Sequence, residues 1–375
     1  MKIALIGPTY PYKGGISHYT TLMYRALKTR HEVIMVSYKL QYPRLLFKKK
    51  QRDYSNKSFY IEETQYMINT ANPFNWFCSA GKIKKMNVDV VILEWWHPYF
   101  APCYYVMCKL LKMSKKVKIL FVCHNVFPHE RFPFDRMLSK LVMKQGHYFV
   151  VQSHMDEKDL LDIKKDAKYV VTPHPTYNAF KMQNLSKEEA RDRLGLTISE
   201  QAILFFGFVR EYKGLKYLLR AMPVIKKRFP QLQLWVVGDF GGDREEYVEI
   251  IKKEGIEENT KLVEGYIPDK DVEQYFAAVD LVVLPYVSAT QSGIVQIAYG
   301  FEKPVIVTDV GGLPDVVEDG KTGYVVESQN EAAIAEAVVK FFENGAETDW
   351  RQNIKAASDE FSWDTMVARI EKLLS

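Results

Sequence analysis

The sequence predicts an α/β protein of two doubly wound parallel domains, and three observations lead there. Apolar runs of four to eight residues recur along the 375 residues, they alternate with helical patterns, and they fall into two sets of six. Runs that are apolar throughout suit strands covered on both faces, as crossover helices cover a parallel sheet. A chain of this length also exceeds one ordinary core, which at roughly 150 residues per domain points to two.

The first set is KIALIG, EVIMVSY, DVVILEW, KILFVC, YFVVQS and KYVVTP. The second is AILFFG, LQLWVVG, KLVEGY, LVVLPY, PVIVTD and GYVVE. The boundary falls near VTPHPTYNAF (171–180), where two prolines stiffen the connection after the first set has ended. This gives a first domain over 1–177, a second over 178–355, and a closing segment over 356–375. That segment, FSWDTMVARIEKLL from Phe361, has helical periodicity and is expected to pack back on the first domain. Open sheets bind ligands at the carboxyl ends of their strands, so two facing domains enclose a ligand in the cleft between them.

Composition narrows the function classes. With 47% hydrophobic and 26% charged residues the chain is globular rather than disordered. Cys78, Cys103, Cys108 and Cys123 show no CxxC spacing, and the start shows no secretory pattern. They read as reduced, part-buried thiols of a cytoplasmic protein. No run reaches the ~18 apolar residues of a membrane span. Residues 1–177 hold 28 Lys+Arg against 13 Asp+Glu and the remainder 23 against 33, a basic first part and an acidic second that together give +5. The basic charge concentrates in YPRLLFKKKQR (42–52), GKIKKM (81–86) and KLLKMSKKVK (109–118). Such clusters are either solvated helix ends or a surface for anions, the inner leaflet of a membrane or a pyrophosphate-linked lipid among them. They carry no nucleic-acid-binding module.

Glycine turns follow the first strand of each set. GPTYPYKGGISHYT (7–20) is not GxGxxG, and EVIMVSYK carries no acid at its end, so the dinucleotide fingerprint is absent. Gly14 and Gly15 either make a tight turn or let backbone amides approach a phosphate or sugar. His124, in CHNVFPHE past an apolar strand, is placed to hydrogen-bond a sugar hydroxyl or a developing charge. His97, in EWWHPY, is in the same layer and equally reads as a packed core histidine. In FFGFVREYKGL (205–215), Arg210 and Lys213 lie at a helix start, where the dipole disfavours cations. That cost points to a ligand, with Arg210 suited to bidentate and Lys213 to point-charge binding of a diphosphate. SATQSGIVQIAYGFEKPVIVTDVGG (288–312) reads as a polar loop opening a short helix, a site where unpaired N–H groups meet an anion. The letters DKD (269–271) lie at a helix start and read as caps rather than as a metal grip.

Four of these stretches in order, the GG loop, HNVFPHE, FGFVREYKGL and GYIPDKDVEQYFAAVDLVVLPY running into residues 288–312, resemble the retaining GT-B glycosyltransferases of family 4 (glycosyl transferases group 1). The resemblance covers nearly the whole chain. It implies two Rossmann-like domains facing across a cleft, with acceptor on the first and nucleotide-diphosphate sugar on the second. The implied reaction moves a sugar to a hydroxyl with retained anomeric configuration, and no metal or other cofactor is expected. By motif position Gly14 and Gly15 face the donor phosphate and sugar, His124 contacts the donor sugar, and Lys213 binds the diphosphate. The loop Gln291, Ser292, Gly293 and Ile294 supplies amides. Two departures stand out. The family's paired acids fall on Ala289 and Ile297, leaving Gln291 and Gln296 as neutral candidates for ribose recognition. The family arginine falls on Phe208, with Arg210 two positions on. A lipid-linked glycan precursor is the acceptor that the basic clusters suggest. The alternatives are a nucleotide-sugar epimerase of the same fold, for which Glu94 and Glu130 make no convincing pair, and a non-catalytic nucleotide-sugar-binding relative.

Overall fold

The computed structural model describes residues 1–47, 50–54, 57–113, 116–128, 133–242, 244–344 and 348–375. It divides into two compact units, Met1–Pro173 with Trp363–Ser375, and His174–Ser362.

The first unit is built on strands β1 (Lys2–Ile6), β2 (Glu32–Leu40), β3 (Gln65–Asn69), β4 (Val90–Trp95), β5 (Lys118–Cys123), β6 (Tyr148–Val151) and β7 (Lys168–Val171). Their order is β3-β2-β1-β4-β5-β6-β7, and all pairs are parallel. Helices α1 (Gly15–Lys28), α2 (Pro73–Lys85), α3 (Ala101–Lys112), α4 (Asp135–Met143) and α5 (His154–Ile163) make the crossovers. The six expected strands are present, and β3 is a seventh that the sequence reading missed. QYMIN is an edge strand with a buried Met67-Ile68 centre between polar ends, too short an apolar run to stand out. The central strands are apolar throughout and fully buried, as in Val90–Leu93 and Ile119–Val122, which is why alternation is absent from their sequences.

The second unit repeats the plan. Helix α6 (Lys187–Leu194) opens on a Ser186–Glu189 capping box. Strands β8 (Ala202–Phe206), β9 (Gln233–Gly238), β10 (Thr260–Glu264), β11 (Leu281–Leu284), β12 (Val305–Thr308) and β13 (Gly323–Val326) are ordered β10-β9-β8-β11-β12-β13. Between them run α7 (Leu215–Arg228), α8 (Arg244–Lys253), α9 (Asp269–Ala278) and α10 (Gly293–Gly300), followed by α11 (Glu331–Asn344) and α12 (Trp350–Glu360). The final helix, α13 (Trp363–Leu374), buries Met366, Val367, Ile370 and Leu374 and packs on α1, β6 and β7 of the first unit.

Both sheets reverse winding direction next to their first strand, between β1 and β4 and between β8 and β11. In open α/β sheets ligands bind outside the carboxyl ends of strands at such a switch point. The residues that follow β1, β4, β5, β8 and β11 are therefore the ones to inspect.

Candidate functional site

In the second unit the chemistry gathers around Tyr286, just past β11. Lys213 ends a 3₁₀ turn (Glu211–Lys213) after β8, and its Nζ lies 3.6 Å from the centroid of the Tyr286 ring. The Tyr286 hydroxyl is 3.2 Å from Ser292 Oγ, and Ser292 is the N-cap of α10, accepting from the Ile294 amide at 3.3 Å. Lys213, a buried tyrosine and the N-terminus of α10 thus form one connected set. Burial lowers the Lys213 pKa to about 8, so the ammonium is less well solvated than an ordinary surface lysine. Among the described residues no carboxylate pairs with it.

Tyr286 was not among the residues the sequence singled out. The signal was present in LVVLPY, where a tyrosine two residues past a strand at the switch point is placed to cover the strand ends. Its carbonyl accepts from the hydroxyls of Thr308 (2.6 Å) and Ser328 (3.1 Å), which fixes the loop after β11 to those after β12 and β13. Gly311, at φ +57, carries the same loop from below. A Cβ there would lie 1.6 Å from the Ala289 carbonyl oxygen, so only glycine allows Gly312 N to reach Thr290 O at 2.8 Å. The glycine pair at the end of SATQSGIVQIAYGFEKPVIVTDVGG is a support for the loop at its beginning.

Arg210 leans the other way. Its guanidinium stacks 5.7 Å from the Phe208 ring, donates to the Val209 carbonyl at 2.9 Å, and lies against Gly241, past β9, where a Cβ would be 2.0 Å from Nη1. Arg210 and Lys213 are joined through the backbone, Lys213 N to Arg210 O at 2.9 Å, but their side chains rest on strand ends on opposite sides of β8. Phe208, where the resemblance places an arginine, is exposed.

The loop residues divide. Ser292 and Gly293 cap α10, while Gln291 and Ile294 flank them and are partly buried. Gln296 is buried within α10, and its Oε1 accepts from Thr176 Oγ1 at 3.3 Å. Ala289 and Ile297, the positions the resemblance marks as acidic, are buried and apolar. Asp269 and Asp271 fall in the first turn of α9, and Pro268 rather than an acid is its N-cap. No group of three or more His, Cys, Asp or Glu side chains among the described residues is arranged to hold a metal.

A buried charge need not mark a site. Arg191 in the same unit is almost fully buried, yet donates to the carbonyls of Ala278, Thr197, Ile198 and Glu200 and to Asp280. It is satisfied and structural.

In the first unit Gly14 caps α1 at φ 103, and a Cβ on either Gly14 or Gly15 would meet nothing within 4 Å. Gly15 is exposed, and the Ser17 and His18 amides of that first turn donate to the Gly14 carbonyl. His124, just past β5, is buried beside Glu94 of β4, Nε2 to Oε2 at 2.7 Å, and the Tyr19 ring meets it edge-on at 4.5 Å. The Gln152 side chain, past β6, hydrogen-bonds it too. Burial lowers the His124 pKa to about 3 and raises that of Glu94 well above the usual carboxylate range. Both causes favour an uncharged pair, with the carboxylic acid donating to the imidazole. The turn that carries His124 is held by Asp156, whose Oδ1 accepts from Val126 N at 2.9 Å and Oδ2 from Ser153 Oγ at 2.7 Å. Glu130 and His129 lie outside the described residues. His97 is a cap, its Nδ1 accepting from Tyr99 N at 3.1 Å. The four cysteines are free; Cys103, Cys108 and Cys123 are buried, whereas Cys78 is exposed rather than part-buried. No described helix is long and apolar enough to cross a membrane.

Comparisons with known proteins bear on the fold. Residues 200–344 match the family described as Glycosyl transferases group 1. D-inositol 3-phosphate glycosyltransferase of Corynebacterium diphtheriae is 25% identical over 251 residues, which are 64% of this chain and 58% of that protein. The chain thus matches somewhat over half the length of such relatives. Among solved structures, sucrose-phosphate synthase of Thermosynechococcus elongatus superposes with a TM-score of 0.72 at 19% identity, covering 99% of this chain and 98% of that one. Anabaena HepE in complex with UDP superposes with a TM-score of 0.75 at 17% identity, covering 100% and 99%. The fold is that of the GT-B glycosyltransferases.

Proposed function

We propose that this chain, whose residues 200–344 belong to the group 1 glycosyltransferases, transfers a sugar from a nucleotide-diphosphate sugar to a hydroxyl acceptor with retained anomeric configuration. The observation that carries the reading is the connected set Lys213–Tyr286–Ser292–α10, a partly desolvated cation beside helix-end amides at a switch point. The UDP carried by the HepE structure of the same fold supports a nucleoside diphosphate as the ligand class.

The chemistry is leaving-group stabilisation. Breaking the bond between the sugar's anomeric carbon and the diphosphate leaves negative charge on the phosphate oxygens. Lys213 and the Gly293 amide meet that charge, Arg210 joins them only by leaving its rest beside Gly241, and prearranged donors away from bulk water are worth far more than the same groups in water. These cations take the place of a divalent metal. The acceptor hydroxyl attacks on the face the diphosphate leaves, and its proton passes to the departing phosphate oxygen. Gly14 and Gly15 offer helix-end amides to the donor phosphate and sugar. His124, held uncharged by Glu94 and Gln152, contacts the sugar as a neutral group rather than as a cation. With the family acids absent at Ala289 and Ile297, ribose recognition falls to Gln291; Gln296 is held by Thr176. A lipid-linked glycan precursor is the acceptor in this reading, which suits the basic first unit.

A thermal-shift panel of uridine, guanosine and adenosine diphosphates and their sugars tests the donor class, since a ligand of the native state raises apparent stability. One base is expected to give the largest shift, and the shift is expected to shrink in Lys213→Ala. An unshifted melt with every nucleotide would overturn the reading. An inverted anomer in the product, seen by proton NMR, would overturn the stereochemical part.

A further inference from the structure

The first unit leaves apolar surface uncovered at one corner of its sheet. β2 and β3 pair in parallel, so the segments after them leave the sheet at the same end. After β2 the chain turns over 43–47, closed by the Leu46 and Phe47 amides on the Pro43 carbonyl. Leu45, Leu46 and Phe47 are exposed there, Leu45 at 86%. After β3 comes α2, whose first turns expose Phe74, at 84%, and Phe77.

The two segments are tied together. The Thr70 amide donates to Leu40 O and its hydroxyl to Gln41 O. Tyr42 stacks on Phe47 and packs on Tyr99, whose hydroxyl meets that of Thr70. Their neighbours Tyr42 and Trp76 already pack on the core, so the exposed side chains are a surface and not a core left undone. Exposed large apolar side chains gathered on two segments tied in this way mark an interaction site.

Charge selects the partner. Residues 33–52 and 64–88 contain no Asp or Glu. Lys39, Arg44 and Lys50 are exposed around the turn, and Lys82, Lys84 and Lys85 along α2. Apolar side chains rimmed by cations with no acid among them match a lipid surface, where the apolar groups enter the acyl boundary and the cations meet anionic headgroups.

We propose that the turn 43–47 and the first turns of α2 form a docking surface for an anionic phospholipid leaflet. The proposal stands apart from sugar transfer, since it needs neither donor nor acceptor. It also bears on it. The segment after the turn runs back to the glycine loop, with Lys13 N on Gln51 O and Asp53 N on Pro11 O. A leaflet docked here lies beside Gly14 and Gly15, within reach of a lipid-linked acceptor.

The test floats the full chain with phosphatidylcholine vesicles, with and without phosphatidylglycerol. Wild type is expected to bind the anionic vesicles at least tenfold more strongly, and less as salt rises. Leu45→Ser with Leu46→Ser and Phe74→Ser is expected to lower binding at least tenfold with an unchanged melting temperature. Leu45→Ser alone, with a smaller loss, keeps the test open if the triple variant misfolds. Arg44→Glu with Lys50→Glu is expected to remove the preference for phosphatidylglycerol, and Ile198→Ser in the second unit to change nothing. Equal flotation of wild type and triple variant, binding indifferent to phosphatidylglycerol, or no flotation at all would overturn the proposal. So would self-association without vesicles that the triple variant abolishes, which would assign the face to a second copy.

Discussion

The two units wind their strands in the same order, yet they treat charge at the strand ends in opposite ways. The first buries Glu94 against His124, and burial leaves both uncharged. The second rests Lys213 on Tyr286 with no carboxylate partner among the described residues. One arrangement neutralises itself, leaving only Glu94 Oε1 of that pair without a hydrogen-bond partner among the described residues, and the other has an unmet demand for an anion. The difference teaches that the shared topology supplies a place, while a few side chains past β4, β5, β8 and β11 decide what the place does.

The sharpest way to break the comparison is to remove the unmet cation. Lys213→Ala is expected to lower kcat/KM by about 10²–10³, the scale for deleting one transition-state donor. Its melting temperature should hold or rise, because a partly desolvated ammonium is being removed. A fall in rate matched by a fall in melting temperature would instead make Lys213 structural.

Next in size is the loop that carries the anion end. Gly311→Ala forces a Cβ onto the Ala289 carbonyl at a positive φ and is expected to cost about 2–4 kcal/mol in urea unfolding. Loss of nucleotide binding should accompany it, whereas the same substitution at Gly15, which faces open space, should cost less than about 1 kcal/mol.

Titration sharpens the contrast further. Because the Lys213 pKa is lowered to about 8, affinity for a nucleoside diphosphate is expected to fall up to about tenfold as pH rises from 7 to 9. Binding at pH 8.5 should take up a proton, read by calorimetry in buffers of different ionisation enthalpy. In the first unit the signs differ between the partners. A histidine with a lowered folded pKa loses stability as pH falls through about 6.5 toward 3, where the unfolded chain binds more protons. A carboxyl with a raised folded pKa loses stability as pH rises above its unfolded value near 4.5. Glu94→Gln, which keeps the shape and removes that titration, is expected to flatten the alkaline side of the stability profile. This is the smallest effect, and an unaltered profile would mean that Glu94 is ionised in the fold.

Much of this was legible in the residues. Twelve of the thirteen strands are apolar runs, and β12 begins after Lys303-Pro304 where the run starts. β3 was hidden because an edge strand needs little apolar sequence. Lys213 could be picked out because a cation at a helix start opposes the dipole. The place of Tyr286 past β11 could be read from LVVLPY, but its role could not, since that depends on Lys213, Ser292, Thr308 and Ser328 meeting around it. Glu94 was read only as half of a carboxylate pair, because its partner His124 is 30 residues away and parallel pairing of β4 and β5 brings them together. Gln296 was a candidate because it lies one position from Ile297, but the segment at Thr176 covers it.

The return of α13 to the first unit has a consequence for how the chain is made. All residues of the second unit are contiguous, so its core needs nothing beyond Ser362. The first unit begins earlier and finishes later, because the flank of α1 that bears Tyr19 stays bare until Trp363 and Met366 arrive to cover it. A chain cut short before Trp363 would keep every residue of the second unit and leave the first still showing its greasy side to chaperones.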